Sequence, residues 1–138
     1  MCKGVNEMDK VGKKRRDISF RSEKNQKLVC VHSREAREYA RILESDENVL
    51  SYEVCQSLEM ERYQYVNPID IRKEYFNTEW ATDFVIRFVN GSMGVREIVT
   101  EVMLSKRADI EKLEFSRRYW AMSENVRDWK VVIIKKGE

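Results

Sequence analysis

Polar and hydrophobic positions are most sharply patterned between residues 80 and 103. Two runs rich in β-branched and aromatic residues, 80–89 and 95–103, flank Asn90-Gly91-Ser92-Met93-Gly94. That arrangement predicts a β-hairpin. Upstream, Ala36, Tyr39, Ala40 and Leu43 recur at helical spacing behind Ser33, a good N-cap residue, and predict a helix from Ser33 to about Glu47. A capping box would place Glu or Gln at 36; Ala36 stands there and the glutamate is Glu35. Val49–Val54 reads as a strand and Leu58–Val66 as another, ended by Asn67-Pro68; 71–79 reads as a return strand or loop. Lys106 to about Ser123 predicts a second helix with two apolar stripes, one of Ile110, Leu113 and Trp120, the other of Phe115, Tyr119 and Met122. Trp129–Ile134 predicts a last buried strand. Helix, strands, helix, strand is the order of a mixed α/β domain with a central sheet covered by helices.

The first 27 residues break the pattern. They are polar and lysine-rich, with Lys13-Lys14-Arg15-Arg16 as a tetrabasic cluster. They read as a basic, flexible arm (1–27), with Ile18-Ser19-Phe20 the point where order could begin, ahead of a folded domain at 28–138. At 138 residues one domain with a real core is expected. Charged residues make up 36% of the chain and apolar ones 42%, which describes a globular protein and argues against disorder. No apolar stretch approaches the roughly 20 residues of a membrane span. No signal peptide is visible behind Met1-Cys2-Lys3-Gly4, so an intracellular, cytoplasmic protein is expected.

Charge is unevenly spread. Residues 1–30 carry nine Lys/Arg against four Asp/Glu, 31–62 four against eight, 63–101 four against six, and 102–138 nine against six. Basic ends around an acidic middle suit a protein that grips phosphates while holding a metal, or simply a solvated surface. Arg117-Arg118 is a second basic pair, suited to a phosphate or to a neighbouring acid. Cys2, Cys30 and Cys55 are odd in number and widely spaced, and His32 is the only histidine. A structural zinc site, which takes four nitrogen or sulfur ligands, is not expected, and reduced thiols are. A Cys30–His32 nucleophile is conceivable only if the two share a face.

The chemistry concentrates in the predicted hairpin. Asp83 precedes Phe84-Val85-Ile86, and Glu97 precedes Ile98-Val99. Carboxylates inside apolar strands are costly unless something positive satisfies them, and a divalent cation is one such partner. The alternative is a wet sheet face.

Several segments in this order resemble a known family. Ile42-Leu43-Glu44-Ser45-Asp46-Glu47-Asn48-Val49-Leu50-Ser51-Tyr52-Glu53, with Gln56, resembles the start of the N-terminal domain of the TnsA transposon endonuclease. Thr82-Asp83-Phe84-Val85-Ile86 resembles its Tyr-Thr-Pro-Asp-Phe-Leu strand. Glu111-Lys112-Leu113-Glu114 through Arg117-Arg118-Tyr119-Trp120, then Asp128-Trp129-Lys130-Val131-Val132, resembles its closing helix and strand. The resemblance spans about residues 30–135. It implies the PD-(D/E)XK, restriction-endonuclease-like fold, an αβββαβ core with a central mixed sheet flanked by helices. It also implies a Mg²⁺- (or Mn²⁺-) dependent DNA endonuclease subunit that cuts the 5′ ends of a transposon beside a partner transposase and an ATPase regulator, on nucleoid DNA of a bacterial cytoplasm. Asp83 and Glu97 would be its metal ligands and catalytic acids. Lys13, Lys14, Arg15, Arg16, Arg117 and Arg118 would contact nucleic acid.

Three positions depart from that pattern. Thr82 replaces a proline. Val99 occupies the lysine position two residues after Glu97, on the same strand face, leaving Lys106 as the nearby substitute. The first-helix glutamate falls on Ala36; Glu35 and Glu38 flank it, but one residue along a helix turns a side chain by about 100°. Glu35 and Lys106 complete the expected catalytic set. The competing expectation is a nuclease fold kept as a non-cutting, binding subunit. A distant third is a nucleic-acid binder of unrelated fold.

Overall fold

A computed structural model of the chain describes residues 17–135. Its elements run β1 (Ile18–Ser22), β2 (Lys27–Val31), α1 (Arg34–Ser45), β3 (Val49–Ser57), β4 (Ala81–Phe88), β5 (Met93–Val99), α2 (Arg107–Trp120) and β6 (Val126–Ile133). The fold is mixed α/β. One sheet has the order β3-β4-β5-β6, antiparallel across its first three strands and parallel between β5 and β6. A parallel neighbour needs a crossover, and α2 supplies it.

Alternation along β4 splits the core in two. Phe84 and Ile86 pack with Ala36, Ala40 and Leu43 of α1 and with Val29 and Val31 of β2. Val85 and Val95 pack on the other side with Phe115, Tyr119 and Trp120 of α2. The expected face of α1 is therefore the buried one. Ser33 caps the helix, accepting the Ala36 N–H at 3.0 Å. The β4–β5 hairpin turns at Asn90-Gly91, where Gly91 takes φ +92° and Asn90 Oδ1 accepts the Ser92 N–H at 2.9 Å.

One segment departs from the sequence expectation and two resolve alternatives it left open. Residues 58–66 do not form a strand: Met60–Tyr65 is a 3₁₀ turn, closed by Arg62 N–H to Glu59 O and Val66 N–H to Tyr63 O, both 3.0 Å. Leu58, Tyr63, Val66 and Ile71 are buried while Tyr65 is exposed, an irregular spacing that only coil and tight turns accommodate. A second 3₁₀ turn, Lys73–Asn77, stands where a return strand or loop was expected. Ile18–Ser22 pairs with Lys27–Val31 as a hairpin, so folded structure starts well before residue 28. The tip of that hairpin caps the edge of β3: Lys24 Nζ reaches Val49 O at 2.7 Å, and Asn25 Oδ1 accepts the Tyr52 N–H at 2.8 Å.

The far edge is anchored by Arg96. Its guanidinium is buried and donates to Asp128 O (2.8 Å), Asp128 Oδ2 (2.9 Å) and the Tyr39 hydroxyl (3.1 Å). Gly94 leaves the room for it: a Cβ there would meet Phe88 at 2.8 Å and Asp128 O at 3.1 Å. Among the described residues no helix is long and apolar enough to cross a membrane.

Candidate functional site

The backbone ladder between β4 and β5 stops at Phe84–Arg96, although both strands continue, β4 beside β3 and β5 beside β6. Beyond that pair, carboxylates replace the missing rungs. Asp83 donates its N–H to Glu97 Oε1 at 3.3 Å, and Asp83 Oδ2 accepts the Ile98 N–H at 2.7 Å. Two acids thus occupy the opening between diverging strands. Backbone donors are satisfied by side chains there, which explains how an apolar hairpin tolerates both carboxylates.

Glu97 is held from the α2 side. Its Oε2 accepts from Thr82 Oγ1 at 3.0 Å and Ser116 Oγ at 2.5 Å. Each hydroxyl in turn accepts an indole N–H, Thr82 from Trp120 at 2.7 Å and Ser116 from Trp129 at 3.0 Å. The indoles occupy the acceptor sides of both hydroxyls, so both protons are directed at Glu97. Despite these donors, burial first and the charge of Asp83 second push the Glu97 carboxyl up to about 7. Burial likewise raises Asp83 above the ordinary carboxylate range, against the lowering effects of the Ile98 N–H, Lys112 and His32. Asp83 Oδ1 takes no hydrogen bond from the described residues. The pair therefore carries an excess of negative charge with acceptor capacity to spare.

A cavity of about 20 Å³, room for one water, lies beside Glu97 and is lined by Trp80, Ala81, Lys112 and Ser116 among others. Lys112, from α2, holds its ammonium 5.1 Å from the centre of the Trp80 ring.

Of the residues singled out from sequence, Asp83 and Glu97 come together. Glu35 sits half-buried in the first turn of α1 and Lys106 exposed at the N-cap of α2; among the described residues the acid pair's hydrogen bonds come from other groups. Val99 is buried, its carbonyl accepting the Ile134 N–H. Arg117 is engaged by Glu114. Arg118 bonds Glu114 and the carbonyls of Asn67 and Ile69, fastening the loop before the second 3₁₀ turn. Lys13, Lys14, Arg15 and Arg16 lie outside the described residues.

Sequence reasoning assigned no role at this site to Thr82, Ser116 or Lys112. Lys112 and Ser116 are set one turn apart on α2, a spacing visible in the sequence but masked by the search for apolar stripes. His32 follows β2 directly; its Nδ1 lies 2.7 Å from Asp17 Oδ1. Asp17, Cys30 and His32 place possible ligand atoms within 4.8 Å of one another. Cys30 is disulfide-bonded, contrary to the expectation of reduced thiols, which withdraws its sulfur from any ligand set.

The donor chemistry of Asp83 and Glu97, hard carboxylate oxygens in a site short of positive charge, fits Mg²⁺ or Mn²⁺. No protein-family model matches the chain, and no curated protein matches it either.

Proposed function

We propose that the chain is a metal-dependent DNA endonuclease subunit of the TnsA type, with the catalytic centre at Asp83 and Glu97. The observation that carries this reading is the replacement of the β4–β5 ladder by two mutually repelling carboxylates, one with an oxygen that takes no hydrogen bond from the described residues. A divalent cation offsets the mutual repulsion of a buried carboxylate pair and satisfies its spare acceptors. The order α1-β3-β4-β5-α2-β6, with β6 parallel to β5, supports a restriction-endonuclease-like αβββαβ core.

When bound, the cation supplies Lewis-acid activation of water and charge neutralisation at the scissile phosphate. The chain's own residues do the rest. Asp83 offers Oδ1 at the opening of the fork. The Trp120–Thr82 and Trp129–Ser116 relays fix the rotamer of Glu97. Lys112 places a positive charge beside the acids, a better candidate than Lys106 for meeting a phosphate. DNA is the substrate, a partner transposase and an ATPase regulator are the assembly, and the nucleoid is the place of action.

Nicking of DNA carrying transposon ends, with Mg²⁺ or Mn²⁺ and the partner transposase, tests the proposal. Metal-dependent cuts lost in Asp83→Asn support it; no cuts under any of these conditions overturn it. Val99 in the lysine position and the two hydroxyls already on Glu97 Oε2 favour a second reading, a non-cutting DNA-binding or docking subunit. Retained DNA binding without cleavage distinguishes the two.

A further inference from the structure

The outer face of the β1–β2 hairpin brings three kinds of metal ligand together. Ile18 pairs with Val31 and Ser19 with Cys30, so the next step of the same register sets Asp17 opposite His32. Successive residues of a strand point to opposite sides. Val29 and Val31 are buried with α1, which leaves Cys30 and His32 on the other face. The 2.7 Å hydrogen bond between Asp17 Oδ1 and His32 Nδ1 puts Asp17 there too. One ligand atom from each of the three lies within 4.8 Å of the other two. A tetrahedral Zn²⁺ held by oxygen, nitrogen and sulfur sets such atoms roughly 3–4 Å apart. The His32 side chain is only 10% exposed and is already fixed, while Asp17, 44% exposed, has room to adjust. In this structure the Cys30 sulfur is committed to a disulfide.

We propose that Asp17, Cys30 and His32 form a redox-gated Zn²⁺ site, closed while the disulfide stands and opened by a dithiol reductant. The dithiol passes two electrons and two protons to the bridge and becomes a disulfide itself; Cys30 and the sulfur it was bonded to become thiols. Zn²⁺ then displaces the Cys30 thiol proton to solvent. It takes the thiolate, one imidazole nitrogen of His32 and an Asp17 oxygen, with water in the fourth position. Four nitrogen or sulfur ligands make a structural zinc site, but an open one needs only three protein ligands. The thiolate selects Zn²⁺ over Mg²⁺ and Mn²⁺, so this site is separate from the acid pair and does not rest on that pair's role. The bound ion ties the residue before β1 to the end of β2, clamping the hairpin whose tip caps β3.

Co²⁺, which enters zinc sites and reports thiolate ligands by a charge-transfer absorption, is the probe. It is added to the full chain as oxidised protein, and to chain reduced with a dithiol that is then removed without air. The reduced chain should show one equivalent of thiolate-bound Co²⁺, displaced by Zn²⁺, and the oxidised chain none, a comparison that needs no variant. Cys30→Ser should abolish the band, and His32→Gln should weaken Co²⁺ about tenfold or more. A reduced chain without the band, a band already present in the oxidised chain, or one that survives Cys30→Ser overturns the proposal.

Discussion

Two carboxylate clusters flank the same sheet, and they are built on opposite principles. At the hairpin end, Glu44 is surrounded by donors: Ser22 Oγ and Tyr52 hydroxyl at 2.5 Å each, and the Lys24 N–H at 3.3 Å. Burial pushes its carboxyl up, but those bonds outweigh it and hold it below its ordinary value. At the β4–β5 fork, Glu97 has comparable donors and still rises to about 7, because burial is deeper and Asp83 adds a like charge. The first cluster is complete as it stands. It ties β1, α1 and β3 together and asks for no ligand. The second keeps its like charges together, the feature on which the proposed cation site rests. A satisfied acid is architecture; a buried like-charged pair is a candidate site.

Four experiments sharpen or break this contrast. The largest effect expected is on chemistry: Asp83→Asn should lower metal-dependent DNA nicking on the order of 10²-fold or more, with no loss of thermal stability. An equal loss of stability would make Asp83 a structural acid like Glu44. Next comes pH. The folded-state value of Glu97 lies above its ordinary 4.5, so the folded state binds the proton more tightly. Its ionisation costs nothing below pH 4.5, an increasing amount as pH rises to 7, and about 3 kcal/mol above that. Denaturant melts should show stability falling across this window, a slope lost in Glu97→Gln and offset by Mn²⁺ at pH 8. Glu44 has the reverse sign: its contribution is present above pH 4.5 and disappears as pH falls through its lowered value. Glu44→Ala should cost about 2–3 kcal/mol in urea unfolding, since Ser22 and Tyr52 are left without their acceptor, and should leave Mn²⁺ affinity unchanged. Tyr52→Phe is the mildest case, about 1 kcal/mol by the same assay.

What the sequence made legible was local. Ser33 with Ala36, Ala40 and Leu43 is enough to place α1, and Asn90-Gly91 between two β-rich runs is enough to place the hairpin. Asp83 and Glu97 stood out because acids in apolar strands need a reason. The rest depends on contacts distant in sequence. Leu58–Val66 has the aromatic content of a strand, but Tyr63 is drawn in to donate its hydroxyl to Thr78 O, and the backbone tightens into 3₁₀ turns. The buried face of α2 includes Glu111 and Ser116. Hydrophobicity could not find them, since one is neutralised by Arg72 and Arg107 and the other serves Glu97. His32 was read beside Cys30; the partner it takes, Asp17, lies just before β1, fifteen residues away in sequence.

The hairpin tip that covers β3 has a bearing on how the protein keeps to itself. An uncovered outer strand is a template on which other chains can build fibrillar aggregates. Here a would-be intruder must first dislodge the Lys24 ammonium and the Asn25 amide. Shortening the 22–27 loop therefore frees the Val49 carbonyl and the Tyr52 N–H for a second chain, and association through that strand is the expected outcome before any loss of the core is felt.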